Sequence, residues 1–234
     1  MTKEEFFNLI NELNIVLNDE QKQQFELYCK LLLEYNTHTN ITAIREESGV
    51  YLKHFYDSLT LVKVFDFNHE YSVLDVGSGG GFPGLVLAIA FPNLKLTLLD
   101  SNHKKSDFQK YIISELNLNN VTIVNDRAES FFKENIKYDV VVARAVANLS
   151  VLSELCIPFI KNYGYFLAMK GDFAEEYQNA FNAITKLGGI IESKFDFKLP
   201  ISEDSRSIIK IKKIKETPKE FPRMYDKIIK RPLK

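Results

Sequence analysis

Five glycines stand within the eight residues from Gly77 to Gly84, directly behind the run Val73-Leu74-Asp75-Val76. A buried strand that ends in a carboxylate and runs into a glycine-rich turn leaves few folds open. Glycine at 77, 79 and 81 admits positive φ and lets the backbone approach a ligand that side chains would exclude. A helix is expected to open at about Phe82 and to carry Leu85-Val86-Leu87-Ala88-Ile89-Ala90. Its N-terminus supplies unpaired N–H groups and the positive end of a dipole. In open α/β sheets such a turn, at the carboxyl end of a parallel strand, is where nucleoside ligands bind.

Two ligands compete for the turn. Gly79-x-Gly81-x-x-Gly84 matches the dinucleotide fingerprint, and Asp100 follows at the expected distance, near the end of the next strand. The other reading is Asp75-x-Gly77-x-Gly79-x-Gly81, which resembles motif I of S-adenosylmethionine-dependent methyltransferases. A carboxylate at 75 is unfavourable beside a pyrophosphate and suits the ammonium and sulfonium of the methyl donor. A turn serving only packing is the third possibility.

From about residue 71 the pattern alternates strand with helix. Strands are expected at 72–76, 95–99, 121–125, 138–143 and 163–169, and helices at 82–90, 103–116, 148–157 and 174–186. This predicts an α/β fold with a doubly wound, mostly parallel sheet. Gly188-Gly189 then precedes a strand at 190–198, and Ser207 to Ile214 follows Pro200 with no helix between. Two consecutive strands imply an antiparallel pair, the usual ending of a methyltransferase sheet and not of a dinucleotide domain. Residues 2 to about 58 read as helical. Thr2-x-x-Glu5 is a capping box, and Phe25, Tyr28, Leu31, Leu32 and Tyr35 form one stripe of a 3.6-residue period. The expected division is an N-terminal helical extension, 1–60, packed on a methyltransferase domain, 61–234, that ends in a basic tail.

Net charge is −1, yet from Ser205 to Lys234 Lys and Arg outnumber Asp and Glu 11 to 3, leaving 19 basic against 28 acidic elsewhere. A basic tail on an acidic body points to a polyanion. Arg223, Lys227, Lys230 and Arg231 lie in a Pro-punctuated tail without a helix pattern and are read as nucleic-acid contacts. For Lys210, Lys212 and Lys213 a solvated edge strand serves equally well. Cys29 and Cys156 have no pairing pattern, the four histidines form no metal cluster, and no apolar run reaches membrane length; Met1-Thr2-Lys3-Glu4-Glu5 lacks a basic and then apolar pattern, so no signal peptide is expected. Reduced thiols and a cytoplasmic location are the expectation.

Other motifs fall where this fold needs them. Asp100 suits two ribose hydroxyls, although Asp100 or Ser101 could equally cap the following helix. Asp126-Arg127-Ala128-Glu129 follows the third strand, where backbone at 128–129 could read an adenine edge. Arg144 stands at the tip of the fourth strand, above the same crevice.

These motifs together resemble one family, the bacterial small-subunit ribosomal RNA methyltransferase G family, also called glucose-inhibited division protein B. The resemblance runs over nearly the whole chain: Asn40-Ile41-Thr42-Ala43-Ile44, His54-Phe55-Tyr56-Asp57-Ser58-Leu59, Asp75 through Gly84, Arg127-Ala128-Glu129, Ala143-Arg144-Ala145, Met169-Lys170-Gly171 and Phe221-Pro222-Arg223. It implies methyl transfer from S-adenosylmethionine to N7 of one guanine in 16S ribosomal RNA. It also implies cofactor contacts at Gly77, Phe82, Ala128, Glu129 and Arg144. With the residue-level reading, the expected cofactor set is Asp75, Gly77, Ser78, Gly79, Gly81, Phe82, Asp100, Ser101, Ala128, Glu129 and Arg144.

The residues are consistent with that chemistry. No Asp/Asn-Pro-Pro-aromatic motif for exocyclic amines follows the fourth strand, and neither cysteine sits in a nucleophile motif. Arg144 stands where a ribose 2′-hydroxyl transferase would want an acid. Guanine N7 carries its own lone pair, so no general base is required and positioning dominates. Arg144 and Lys170 are candidates for orientation, and His54, Lys170 and Arg223 for RNA contact; His54 and Asp57 share a helix face and could equally be a stabilising pair. Purine N7 is inaccessible in an A-form groove, so the assembled small subunit, or an intermediate of it, is the expected substrate of a monomeric enzyme.

Overall fold

The computed structural model describes residues 1–132, 135–144, 147–171 and 176–233, with backbone alone at 176–179. Seven strands form one sheet: β1 (Ser72–Val76), β2 (Lys95–Leu99), β3 (Val121–Val124), β4 (Tyr138–Arg144), β5 (Ile160–Lys170), β6 (Gly189–Lys198) and β7 (Ser205–Lys213). Their order is β3-β2-β1-β4-β5-β7-β6. β1 to β5 run parallel, and β7 inserts antiparallel between β5 and β6. The expected doubly wound sheet with its antiparallel ending is therefore the fold observed. The strand order reverses between β1 and β4, and the crevice at their carboxyl ends is where such a sheet receives ligands.

Period-2 alternation covers both faces. Val73, Val140, Val142, Leu167 and Ile208 pack with the N-terminal helices, while Leu74, Val141, Phe166, Ile209 and Ile211 pack with α8 (Leu149–Cys156) and α9 (Glu176–Lys186). At the N-terminus, α1 (Lys3–Glu12) and α2 (Asp19–Tyr35) both open with capping boxes, Thr2 with Glu5 and Asn18 with Gln21. Phe6, Phe25, Tyr28, Tyr51 and Phe55 interlock at centroid separations of 5.2 to 5.4 Å. The same apolar cluster continues into Leu85, Leu98 and Phe108, so the extension and the sheet share one core.

The helical reading to residue 58 breaks between α2 and α3 (Glu47–Val50). Buried Asn36 explains the break. Its Oδ1 accepts from the N–H groups of Ile41 and Thr42, and its Nδ2 donates to the carbonyls of Thr42 and Ile44. Beyond α3 the chain makes one π-helical turn, Tyr51–Tyr56, before α4 (Asp57–Leu59). Two further helices flank β1 and β2: α5 (Gly84–Ala90) and α6 (His103–Glu115). α5 starts two residues later than expected: Pro83 is its N-cap, and the unpaired first-turn N–H of Gly84 donates to Asp75 Oδ2 at 2.8 Å.

The basic C-terminal region departs most from expectation. β7 is an interior strand, and Lys213 is fully buried, donating to the carbonyl of Ile157, with its pKa lowered by burial to about 8. The tail carries a short helix, α10 (Tyr225–Lys230), anchored by buried Phe221 and Ile228; one buried residue in six left no period to read. Arg223, expected at RNA, instead clamps fully buried Glu154 through Nε and Nη2 at 2.8 and 2.6 Å. Removing one partner of such a pair strands a buried charge and costs about 3–5 kcal/mol. Arg223→Ala is therefore expected to lower unfolding free energy by about that much in urea titration, and Glu154→Gln by less, because its partner can reach solvent.

Candidate active site

The turn between β1 and α5 is held by backbone and by side chains from three neighbours. Gly77, Gly79 and Gly81 adopt φ of 74°, 58° and 94°. The N–H groups of Gly77 and Ser78 donate to the carbonyl of Leu99 at 2.8 and 3.2 Å, stitching the turn to β2. From the tip of β2, Asp100 accepts from Gly79 N–H through Oδ2 and from Asn102 N–H through Oδ1, both at 2.8 Å. Gln109 on α6 donates to Ser78 Oγ and to the carbonyl of Gly79. Tyr28 on α2 donates its hydroxyl to the carbonyl of Gly80 at 2.5 Å.

What an added Cβ would meet separates these glycines into two kinds. At Gly81 it would stand 2.4 Å from Leu85 Cδ1 and 2.7 Å from the Tyr28 hydroxyl, so the position faces protein. At Gly77 nothing lies within 4 Å. That position opens onto a cleft of about 240 Å³ that also receives Asp100, Ser101, Ala128 and Glu129, the last two from α7 (Ala128–Phe131) behind β3.

Beneath the turn Asp75 is completely buried. Its Oδ2 is satisfied by Gly84, and its Oδ1 has no partner. Burial raises its pKa from 3.8 to about 7, against the opposing Gly84 hydrogen bond and the field of Arg144. A buried carboxylate oxygen without a partner calls for a hydrogen-bond donor or a counter-charge.

Arg144, at the tip of β4, is bound into the N-terminal extension. It donates to the carbonyl of Lys53 at 2.8 Å, to His54 Nδ1 at 3.0 Å and to Asp57 Oδ2 at 3.4 Å, and its guanidinium lies 5.1 Å from the Phe82 ring centroid. Because arginine only donates, His54 Nδ1 accepts, and its proton on Nε2 faces Thr42 Oγ1 at 2.8 Å. His54 also stacks on Phe82 at 4.1 Å. Burial, and then the Arg144 charge, lower its pKa from 6.5 to about 3, so it is neutral at physiological pH. Asp57 Oδ1 takes a second guanidinium, from Arg206 Nε at 3.1 Å.

The expected residues thus divide by position. Gly77, Asp100, Ser101, Ala128 and Glu129 line the cleft, whereas Asp75, Ser78 and Phe82 are buried and shape the turn from within. Neither Asp100 nor Ser101 caps α6; Asn102 does. Lys170 is buried and donates to the carbonyl of Ala147 at 2.5 Å, tying the end of β5 to the segment after β4. Ala145 lies outside the described residues. The sequence reading missed Tyr28, Gln109, Arg206 and Tyr225, the last a cleft-lining residue. For Tyr28 the signal existed, since a tyrosine in a buried stripe must find a partner for its hydroxyl.

Comparison with known proteins shows the family and the fold. A family model described as rRNA small subunit methyltransferase G matches residues 21–208. The chain is 48% identical over 227 residues to Ribosomal RNA small subunit methyltransferase G of Bacillus subtilis (strain 168), and 47% identical to that of Bacillus cytotoxicus, with 95% of each chain covered in both cases. Among solved structures, a methyltransferase from Pyrococcus furiosus superposes with a TM-score of 0.58 at 17% identity, over 83% of this chain and 98% of that one. M. jannaschii TYW2 in complex with AdoMet gives 0.52 at 17% identity, over 63% and 71%. At these identities the two structures share the fold with this chain.

Proposed function

This chain belongs to the rRNA small subunit methyltransferase G family, and from that premise we propose that it transfers the methyl group of S-adenosylmethionine to N7 of one guanine in 16S ribosomal RNA. The observation that carries the cofactor assignment is Asp75, whose buried and unpartnered Oδ1 fits an ammonium and repels a pyrophosphate. Asp100 and the backbone at Ala128 and Glu129 are the candidates for the ribose and the adenine. The cofactor supplies an electrophilic methyl group on its sulfonium. This chain's own residues then have to hold and orient. Neutral His54, with Nδ1 occupied by Arg144, is not a general base, and N7 needs none. Arg144 and Lys170 fix the tips of β4 and β5 around the acceptor. The enzyme acts as a cytoplasmic monomer on the assembled subunit or an intermediate of it. No helix among the described residues is long and apolar enough to cross a membrane.

Asp75 also sets a pH dependence. In the free protein it is protonated below about 7, and pairing with a cation requires the carboxylate. Affinity for S-adenosylhomocysteine is therefore expected to weaken as pH falls through 7, by up to about tenfold per unit. Asp75→Asn should bind weakly and lose that slope. Turnover at saturating cofactor should stay flat from pH 6 to 8. Calorimetry and single-turnover rates check both, and a pH-independent Kd would contradict the pairing.

The acceptor is tested by adding methyl-labelled cofactor to small subunits, large subunits and deproteinised 16S RNA from a strain lacking the enzyme. Label is expected in the small-subunit fraction. No label there, despite S-adenosylhomocysteine binding, overturns the acceptor. Binding of NAD in place of S-adenosylhomocysteine overturns the cofactor.

A further inference from the structure

The tail that its charge assigns to RNA is seated against the cofactor cleft. We propose that Tyr225 is the outer wall of that cleft and stacks on the adenine of the bound methyl donor, held in place by the Glu154–Arg223 ion pair; this rests on the cofactor reading given above. Among the described residues lining the cleft, Tyr225 is the one aromatic side chain, and it shares the cavity with Asp100, Ala128 and Glu129.

Anchors on both sides of Tyr225 fix its place. On one side, Phe221 is buried in the core under α8, and the backbone N–H of Arg223 donates to Glu154 Oε1 at 2.9 Å while its guanidinium takes both carboxylate oxygens. On the other, fully buried Ile228 pins α10. The segment between these anchors is too short to swing free of the cleft. Tyr225 keeps 39% of its surface exposed, and the Arg127 guanidinium lies 5.4 Å from its ring centroid. Arg127 directly precedes the backbone expected at the adenine edge, so the cation and the ring flank the same subsite. A purine laid on such a ring gains roughly 1–3 kcal/mol, or about 5- to 150-fold in affinity. Lys227 and Lys230 are exposed on α10 and do not line the cleft.

Equilibrium binding separates a cofactor wall from an RNA tail. S-adenosylhomocysteine is titrated calorimetrically into the wild type, Tyr225→Ala, Tyr225→Phe and the double variant Lys227→Ala/Lys230→Ala. Small-subunit affinity is measured without cofactor on the same proteins. Tyr225 is exposed, so its variants should keep the wild-type melting temperature. Tyr225→Ala is expected to raise the Kd for S-adenosylhomocysteine at least about fivefold without changing subunit affinity. Tyr225→Phe should restore binding, and the lysine variant should bind S-adenosylhomocysteine as the wild type does. Unchanged S-adenosylhomocysteine affinity in Tyr225→Ala, with or without weaker subunit binding, overturns the proposal. Absence of binding by the wild type would instead remove the cofactor reading beneath it.

Discussion

Gly81→Ala is expected to abolish cofactor binding and to lower stability by roughly 3–5 kcal/mol, a large share of the 5–15 kcal/mol that holds a domain. Two penalties add. A side chain at φ 94° is strained by about 1–3 kcal/mol. The new methyl group would also stand 2.4 Å from Leu85 Cδ1, 2.8 Å from Leu85 Cγ and 2.7 Å from the Tyr28 hydroxyl, so the buried Leu85 and Tyr28 side chains must shift within a packed core. Moving Tyr28 breaks its hydrogen bond to Gly80, one of the links between the extension and the turn. Gly77→Ala is the control in the same loop. Its φ of 74° carries the strain, but its methyl group meets no protein atom within 4 Å and projects into open space at the cleft. That variant should fold with a loss of about 1–2 kcal/mol and still bind S-adenosylhomocysteine at least tenfold more weakly. Urea titration and calorimetry on both variants check the contrast, and equal stability of the two would contradict it.

Arg144→Ala is expected to cut turnover by about 10²- to 10³-fold, the range for losing one preorganised donor in an active site. The loss would come from position. Arg144 joins the tip of β4 to Lys53, His54 and Asp57, and it lies over Phe82 at the end of the glycine turn. Without it Asp57 keeps Arg206 among the described residues, and His54 Nδ1 loses the Arg144 donor. A readout independent of turnover follows. Burial is the larger cause of the low His54 pKa and Arg144 the second, so the variant should raise that pKa from about 3 while leaving it below 6.5. Imidazole NMR measures this. Arg144→Lys should recover part of the charge effect on His54 but little turnover, because an ammonium lacks the planar fork that reaches three partners. Turnover of Arg144→Ala within threefold of wild type would contradict the assignment.

Where a single period governed the pattern, the sequence was legible. β1 and β2 have the boundaries their apolar runs imply, and the missing helix after β6 correctly announced the antiparallel ending. The glycine turn was legible because positive φ at Gly77, Gly79 and Gly81 restricts residue type, and the structure seats Asp100 against it through the Gly79 N–H. Contacts between distant segments were not. Tyr28 reads as one more core aromatic until the fold brings it to Gly80, 52 residues away. Arg206 reads as a surface charge, yet it meets Asp57 from 149 residues away. The tail misled for a physical reason. Its lysines dominate the composition, whereas its place is set by Phe221, Arg223 and Ile228, three residues whose partners lie on other elements.

Identifying the methylated atom tests the central claim most directly. Small subunits lacking the modification, treated with this protein and S-adenosylmethionine, are digested to nucleosides and fragments and analysed by mass spectrometry against synthetic standards. The account expects 7-methylguanosine at one position, approaching one methyl group per subunit. Methylation at guanine N1 or N2, at a pyrimidine or at a ribose hydroxyl would contradict it.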